Sequence, residues 1–408
     1  MAYASAHLMA AAFRSVGVEA HATPDSDHET LELGGQCSSG EECLPHKVTL
    51  GDFLKVLKQP GADPRKLAFF MPRAPGPCRF GQYAPYFKQV LREQGYGDAL
   101  VLSPTSGDGY DGIGEHASEL MRTAWLAIVL GDLAQRLLLK TRPYETCAGD
   151  SEAAFKQAVA DFAAALSTPH LSTNERVARA TKVVVRIRDR FRAIPARYER
   201  GRPLIGVVGE IYCRLNTFSN EDVVRKIERL GGECWLSDIS EWVFYTNWSR
   251  EYDWAHDHGR LNTGYLKLRL KGYVQHQYEQ TLLAPVADDL RGYEEPHDIC
   301  AVLAGSEPYL PAAGALGEMT LSVGKAVYLY HKGADGIIDI SPFTCMNGVC
   351  SEAVYPAVSA DYDNLPIRSL YFDKVSTHIE RDLEIFLDLA RAYQRRKKTT
   401  RVYPRYFP

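Results

Sequence analysis

Short continuous apolar runs alternate along this chain with segments whose apolar residues recur at helical spacing. "KLAFFM" (66–71) and "ALVLSP" (99–104) have the length and continuity of strands buried on both faces, and the stretch between them, from about Tyr83 to Gln94, has the helical period. That pattern predicts a βαβ unit, with a helix before it in "VTLGDFLKVLKQ" (48–59). From Glu115 to about Arg200 the pattern is helical, broken near Pro143 and again at Ser167 to Ser172. A second α/β region opens with a strand in "PLIGVVGEIY" (203–212). Asn220 is placed to cap the helix "EDVVRKIERLGG", which Gly231 and Gly232 close. "ECWLSD" is the next strand, a helical segment spans about 262–290, and "DGIIDISPF" (335–343) and "PIRSLYF" (366–372) are further strands before a last helix from about Thr377 to Arg396. The N-terminus reads as a helix and then a strand over Val16 to Ala20. The fold expected is α/β: two Rossmann- or flavodoxin-like domains with parallel sheets (1–114 and 201–392), an intervening helical segment (115–200) and a basic C-terminal tail (393–408).

A chain of 408 residues exceeds one ordinary core, which agrees with that division. Its 45% hydrophobic and 24% charged content is that of a globular protein, and a net charge of −4 gives no reason to expect nucleic acid or an anionic membrane as partner. The basic run Arg395 to Lys398 with Arg401 reads as a solvated helix end. No apolar run approaches the roughly 20 residues of a membrane span, and the N-terminus lacks a basic start and cleavage site, so the expected location is cytoplasmic.

Nine cysteines change the picture: Cys37, Cys43, Cys78, Cys147, Cys213, Cys234, Cys300, Cys345 and Cys350. An odd, scattered set in a reducing compartment argues against a disulfide framework and leaves metal binding and plain burial as rivals. Two segments echo each other. "AFFMPRAPGPC" and "GIIDISPFTC" each run from apolar strand through proline and a short loop to a cysteine that opens a helix. Ligand sites in open α/β sheets lie beyond the carboxyl ends of strands, where Cys78 and Cys345 both fall. Cys43, in "GEECLPHKVTLGDFL", is a third cysteine at a loop-to-helix junction. A helix N-terminus lowers a thiol's pKa and favours an anionic cluster. The spacings are too long for a compact zinc motif.

The strings "SSGEECLPHKVTLGDFL", "AFFMPRAPGPCRFGQY", "TRPYE", "GVVGEIYCRLNTFSNEDVVRKIERLGGE", "GADGIIDISPFTCMNGV" and "LPIRSLYFD" resemble, in order, the activase-related branch of the 2-hydroxyacyl-CoA dehydratase superfamily. The resemblance implies two α/β domains plus a helical part, with a 4Fe-4S cluster held between the domains by three cysteines. Cys43 matches the family's cysteine before proline, Cys78 the one in its glycine–proline–cysteine turn, and Cys345 the one after proline–phenylalanine. It also implies a separate ATP-dependent activator with its own iron–sulfur cluster as electron donor, and a small-molecule or acyl-CoA substrate, in a homo- or hetero-oligomer. Cys37, Cys350 and Cys213 are candidates for the extra ligands of an 8Fe-9S double cubane. Arg79, Gln82, Glu210, Arg214, Asn216 and Asn220 are candidates for the pocket, with helix capping and local ion pairing as the plainer reading. Relatives carry a strand before the helix matched by "SAHLMAAAFRSVGVEA", so the first sheet lacks an edge strand or a partner provides it.

Two alternatives stay open. One is a non-catalytic relay or scaffold subunit that carries a cluster; the other is a structural zinc protein. There is no G-x-x-x-x-G-K-[ST] for ATP hydrolysis. "GDGYDG" (107–112) reads as a loop rather than a dinucleotide site, and "HDH" (256–258) as polar surface. Cys234 and Cys300 read as strand residues, and Cys147 has no evident role.

Overall fold

A computed structural model describes residues 3–73, 76–105, 114, 116–314, 317–374 and 378–408. The sequence "GDGYDG" lies outside the described residues. The fold mixes helices with two parallel sheets.

The first sheet has two strands, β1 (Ala68–Phe70) and β2 (Leu100–Leu102), paired in parallel from Ala68 with Leu100 to Phe70 with Leu102. Helix α4 (Tyr83–Glu93) connects them, as the βαβ pattern predicts. Helices α2 (His28–Gln36) and α3 (Leu44–Leu57) complete this part. They cross closely because of two glycines: a Cβ on Gly34 would lie 1.9 Å from Lys47 O, and one on Gly51 1.8 Å from Thr30 O. Helix α3 carries two apolar faces. Leu50, Phe53, Leu54 and Leu57 join the core of β1, β2 and α4. Leu44 and Val48, one helical turn apart, enter the core of the second sheet. The residue that starts α3 is thereby fixed between the two sheets.

The helical part is built on α1 (Tyr3–Arg14), α5 (Ala117–Thr141), α6 (Asp150–Leu166) and α7 (Thr173–Arg192), which share one core. The expected strand over Val16 to Ala20 does not form: those residues continue out of α1 as a turn and loop without a strand partner. Helix α1 packs on α5 and α6, and Phe13 touches Phe70 of β1 edge-on at 5.0 Å.

The second sheet has the order β4-β3-β5-β6, all parallel. It consists of β3 (Leu204–Gly209), β4 (Glu233–Leu236), β5 (Gly336–Pro342) and β6 (Ile367–Phe372). All residues of β3, β4 and β5 are buried, which explains their mainly apolar sequences; the acidic exceptions Glu233 and Asp339 are buried against Arg401 and Tyr355. Ile205, Val207, Ile338 and Ile340 face α8 (Ile211–Leu215), α9 (Val223–Arg229) and α15 (Ile379–Arg396). Leu204, Val208 and Ile337 face α13 (Gly317–His331) and α14 (Met346–Asp361). Between β4 and α13 lie α10 (Ile239–His258), α11 (Thr263–Leu283) and α12 (Cys300–Ser306).

Several expectations need correction. Asn220 does not cap α9, which starts at Val223. Glu221 and Asp222 first turn the chain through positive φ, and the Asn220 amide donates to the carbonyls of Cys213 and Arg214. Cys300 lies exposed in the first turn of α12, not in a strand. The basic run is only partly solvated. Lys397 pairs with buried Asp335 at 2.6 Å, and Arg401 is buried against Glu233 at 2.7 Å. No helix among the described residues is long and apolar enough to cross a membrane.

Candidate functional site

Strand β3 leads to β4 on one side and lies beside β5 on the other, so the sheet order reverses between β3 and β5. A crevice forms at the carboxyl ends of strands where the order reverses. Glu210 follows β3 there, and its N–H donates to Ile340 O of β5 at 2.8 Å. The close approach depends on Gly209, whose φ is +115°, since a Cβ would lie 2.1 Å from Ile340 O. Beyond β5, Cys345 opens α14.

Cys43, Cys78 and Cys345 all occupy the residue before a helix: α3, the 3-10 turn Arg79–Gln82 that leads into α4, and α14. Elsewhere such positions are held by Asp27, Ser172, Glu210 and Asn262, whose oxygens accept first-turn N–H groups. None of the three sulfurs makes that capping bond. Cys43 Sγ instead lies 2.7 Å from the Tyr83 hydroxyl.

One side chain ties the three loops together. Arg79 Nη1 donates to Glu41 O at 2.8 Å, beside Cys43, and to Thr344 Oγ1 at 3.3 Å, beside Cys345, while Arg79 itself follows Cys78. Thr344 has φ +66°, a strained conformation for a β-branched residue. Below this junction, Asn216 Nδ2 donates to Ser26 Oγ at 3.2 Å, and Ser26 donates to Asp52 of α3 at 3.0 Å.

Beside Cys43 a cavity of about 220 Å³ is lined by Glu41, Glu42, His46, Arg79, Gln82, Tyr83 and Tyr86. The ring of His46 packs edge-on against those of Tyr83 and Tyr86, and burial lowers its pKa to about 4, so the cavity wall is neutral there. Glu42 is held low, at about 2, by the N–H groups and hydroxyl of its own loop.

The thiols depart from the expectation that a helix N-terminus lowers their pKa. Burial raises Cys43 and takes Cys345 to about 12, and partial desolvation raises Cys78 although that residue is exposed; the carboxyl of Glu210 adds to all three, and that of Glu318 to Cys78 and Cys345. The first-turn N–H groups of His46, Phe80 and Gly348 offset this only in part. Desolvation outweighs the helix termini here. Glu210 is pushed up to about 8 by burial and by the neighbouring Glu318.

The remaining candidates divide. Arg79 and Gln82 line the cavity and Glu210 stands near the thiols, whereas buried Arg214 lines a second, narrow cavity with Glu318. Asn216 and Asn220 hold loops, with Asn216 Oδ1 accepting from Ser219 N at 2.8 Å. Cys213 is buried in α8, and burial, with smaller contributions from Glu210 and Cys345, raises its pKa well above the usual thiol value. Cys37 is half-buried at the end of α2, its carbonyl taking the Tyr86 hydroxyl at 2.8 Å, and Cys350 is half-buried in α14. Cys234 is buried in β4. Arg142 pairs with Glu228 at 2.7 Å and Glu152 at 3.1 Å, a brace between the helical part and α9. Sequence reasoning missed Glu318, whose signal was only its place ahead of an apolar helix, and Tyr83, visible as the fifth residue after Cys78.

Among the described residues, no group of three or more His, Cys, Asp or Glu side chains is arranged to hold a single metal ion. A cubane asks for something different, one thiolate per iron corner with the sulfurs standing apart. The three thiols lie on loops that Arg79 joins, and none of them caps its helix. Comparison with models of protein families and with curated proteins gave no match for the chain.

Proposed function

We propose that this is a cytoplasmic redox protein that holds a 4Fe-4S cluster through Cys43, Cys78 and Cys345, in a cleft between two flavodoxin-like α/β halves. The observation that carries the reading is the Arg79 bridge, which brings the loops of all three cysteines to one junction. When bound, such a cluster supplies single low-potential electrons, here to a small or acyl-CoA substrate. By resemblance, those electrons come from an ATP-dependent activator.

The chain's own residues have separate tasks. The three thiols lose their protons on binding, so loading releases protons and strengthens as pH rises. The Tyr83 hydroxyl, 2.7 Å from the Cys43 sulfur, would donate to it once the thiol has lost its proton, and keeps it oriented. Arg79 and Gln82 present donors to the cavity, suited to a carbonyl or carboxylate oxygen, while His46, Tyr83 and Tyr86 give it an aromatic wall that keeps out water. Cys37, Cys213 and Cys350 are the reserve of thiols from which a double cubane would draw.

The test is metal analysis of protein purified without oxygen. The expected product is brown, with about four irons per chain, or about eight for a double cubane. Cys78→Ser should lose most of the iron and Cys234→Ser should keep it. Colourless protein containing zinc, or iron indifferent to replacement of Cys43, Cys78 and Cys345, contradicts the reading.

A further inference from the structure

A chain of buried charges in the second half leads toward the cysteine junction. Lys325, fully buried in α13, pairs with Glu241 at 2.9 Å and with Glu295. Glu295 accepts from Trp235 Nε1 at 2.7 Å and keeps 11% of its side chain exposed, so the chain reaches the surface there. Arg136 lies alongside, 3.2 Å from Asp238.

Next to Glu241 is a narrow cavity of about 10 Å³, lined by Gly209, Arg214, Ser237, Asp238, Glu241 and Glu318 among others. Two atoms on these walls, Arg214 Nε and Ser237 Oγ, have no hydrogen-bond partner, while Asp238 Oδ2 and Glu241 Oε2 meet only the cations Arg136 and Lys325 and keep further acceptor capacity. Their residues are all more than nine-tenths buried. Leaving such groups dry costs ~1–3 kcal/mol each. A space of one water with two to four polar partners is what an ordered internal water requires. On the cavity wall, Glu318 continues the chain: its Oε1 accepts from Ile211 N at 3.1 Å and its Oε2 from Asn347 Nδ2 at 2.7 Å, two residues past Cys345.

We infer that this cavity holds a water that relays protons from Glu295 through Lys325 and Glu241 to Glu318, and that Glu318 delivers them to a substrate reduced at the cysteine junction. Only that delivery rests on the redox reading above; the water and the relay stand without it. In the step, the Glu318 O–H bond breaks and its proton bonds to the substrate atom that has taken an electron from the low-potential donor. The carboxylate left behind takes a proton from the water. The water recovers one from the Lys325–Glu241 pair, which solvent refills at Glu295, so one proton enters per electron. The charged and titratable groups facing Glu318 are Glu210 and Arg214 near α8, Asp238 and Glu241 at the start of α10, Asp339 of β5, and the thiols of Cys78 and Cys345. Burial raises the Glu318 carboxyl above the usual carboxylate range, which favours the protonated form that the step needs.

Infrared spectra of the protein as isolated, with or without iron, test the relay. The wild type should show the carbonyl band of a buried protonated carboxyl that Glu318→Gln removes. After transfer to heavy water, that band should shift at least about tenfold more slowly in Glu241→Gln and Ser237→Ala, each of which takes away a wall group the water needs. A high-resolution crystal structure of the wild type should show a water on Ser237 Oγ. A dry cavity, no Glu318-dependent band, or exchange unchanged in both variants overturns the relay. In iron-loaded protein given a reductant, Glu318→Gln should keep its iron and lose about a hundredfold in product formation. Normal turnover in that variant overturns the delivery step. Iron-free protein that still passes the infrared test sinks the redox reading and leaves the relay standing.

Discussion

The two halves that meet at the cysteines are built to different depth. The second has four parallel strands, three of them wholly buried, with helices on both faces. The first has two strands of three residues, and Ala68 and Leu100 are exposed. Cys345 therefore stands on a rigid base, whereas Cys43 and Cys78 stand on a thin one steadied by α3, whose Leu44 and Val48 reach into the other core.

Glycine substitutions give the largest contrast. Gly209→Ala imposes a Cβ at φ +115° and 2.1 Å from a backbone oxygen in the deep sheet, which cannot move aside. The expected loss is about 3 kcal/mol or more in urea unfolding. Gly51→Ala also meets backbone, at 1.8 Å, but α2 can shift outward, and the expected loss is nearer ~1–2 kcal/mol. Equal losses would erase the contrast.

Titration separates the halves next. Glu210 and Asp339 in the second half are raised by burial, to about 8 from 4.5 and to about 6 from 3.8. The folded state then binds more protons than the unfolded one between those values, so their contribution is full below the unfolded pKa and fades as pH rises to about 8. His46 in the first half is lowered by burial from 6.5 to about 4, so its contribution is full above 6.5 and fades as pH falls to about 4. Thermal midpoints followed against pH should therefore lose their alkaline decline in Glu210→Gln and their acid decline in His46→Gln. Unchanged profiles would mean that neither group is held as described.

Arg79→Ala should change stability least, by under about 1 kcal/mol, because the guanidinium is exposed. Its expected effect is on iron retention, since it ties Thr344 to Glu41. A fall in stability with iron unchanged would make Arg79 a brace only.

Much of this difference was legible in the sequence. "LIGVVG" and "GIIDISP" announce strands buried on both faces, and the paired strand–proline–cysteine segments put Cys78 and Cys345 at strand ends. Long-range partners left no local trace. The Arg401 burial depends on Glu233, 168 residues away, and Asp132 in α5 accepts the first N–H groups of α10, 107 and 108 residues on. Val16 to Ala20 had strand-like residues but no neighbouring strand to pair with. The thiol pKa values followed burial, which one sequence does not display.

The most direct measurement of the central claim is a crystal structure of anaerobically purified protein with diffraction collected at the iron edge. The account predicts an anomalous iron peak at the Arg79 junction, bonded to the sulfurs of Cys43, Cys78 and Cys345 and with one iron free of protein thiolate. Iron elsewhere, or none with the three thiols unligated, would contradict it.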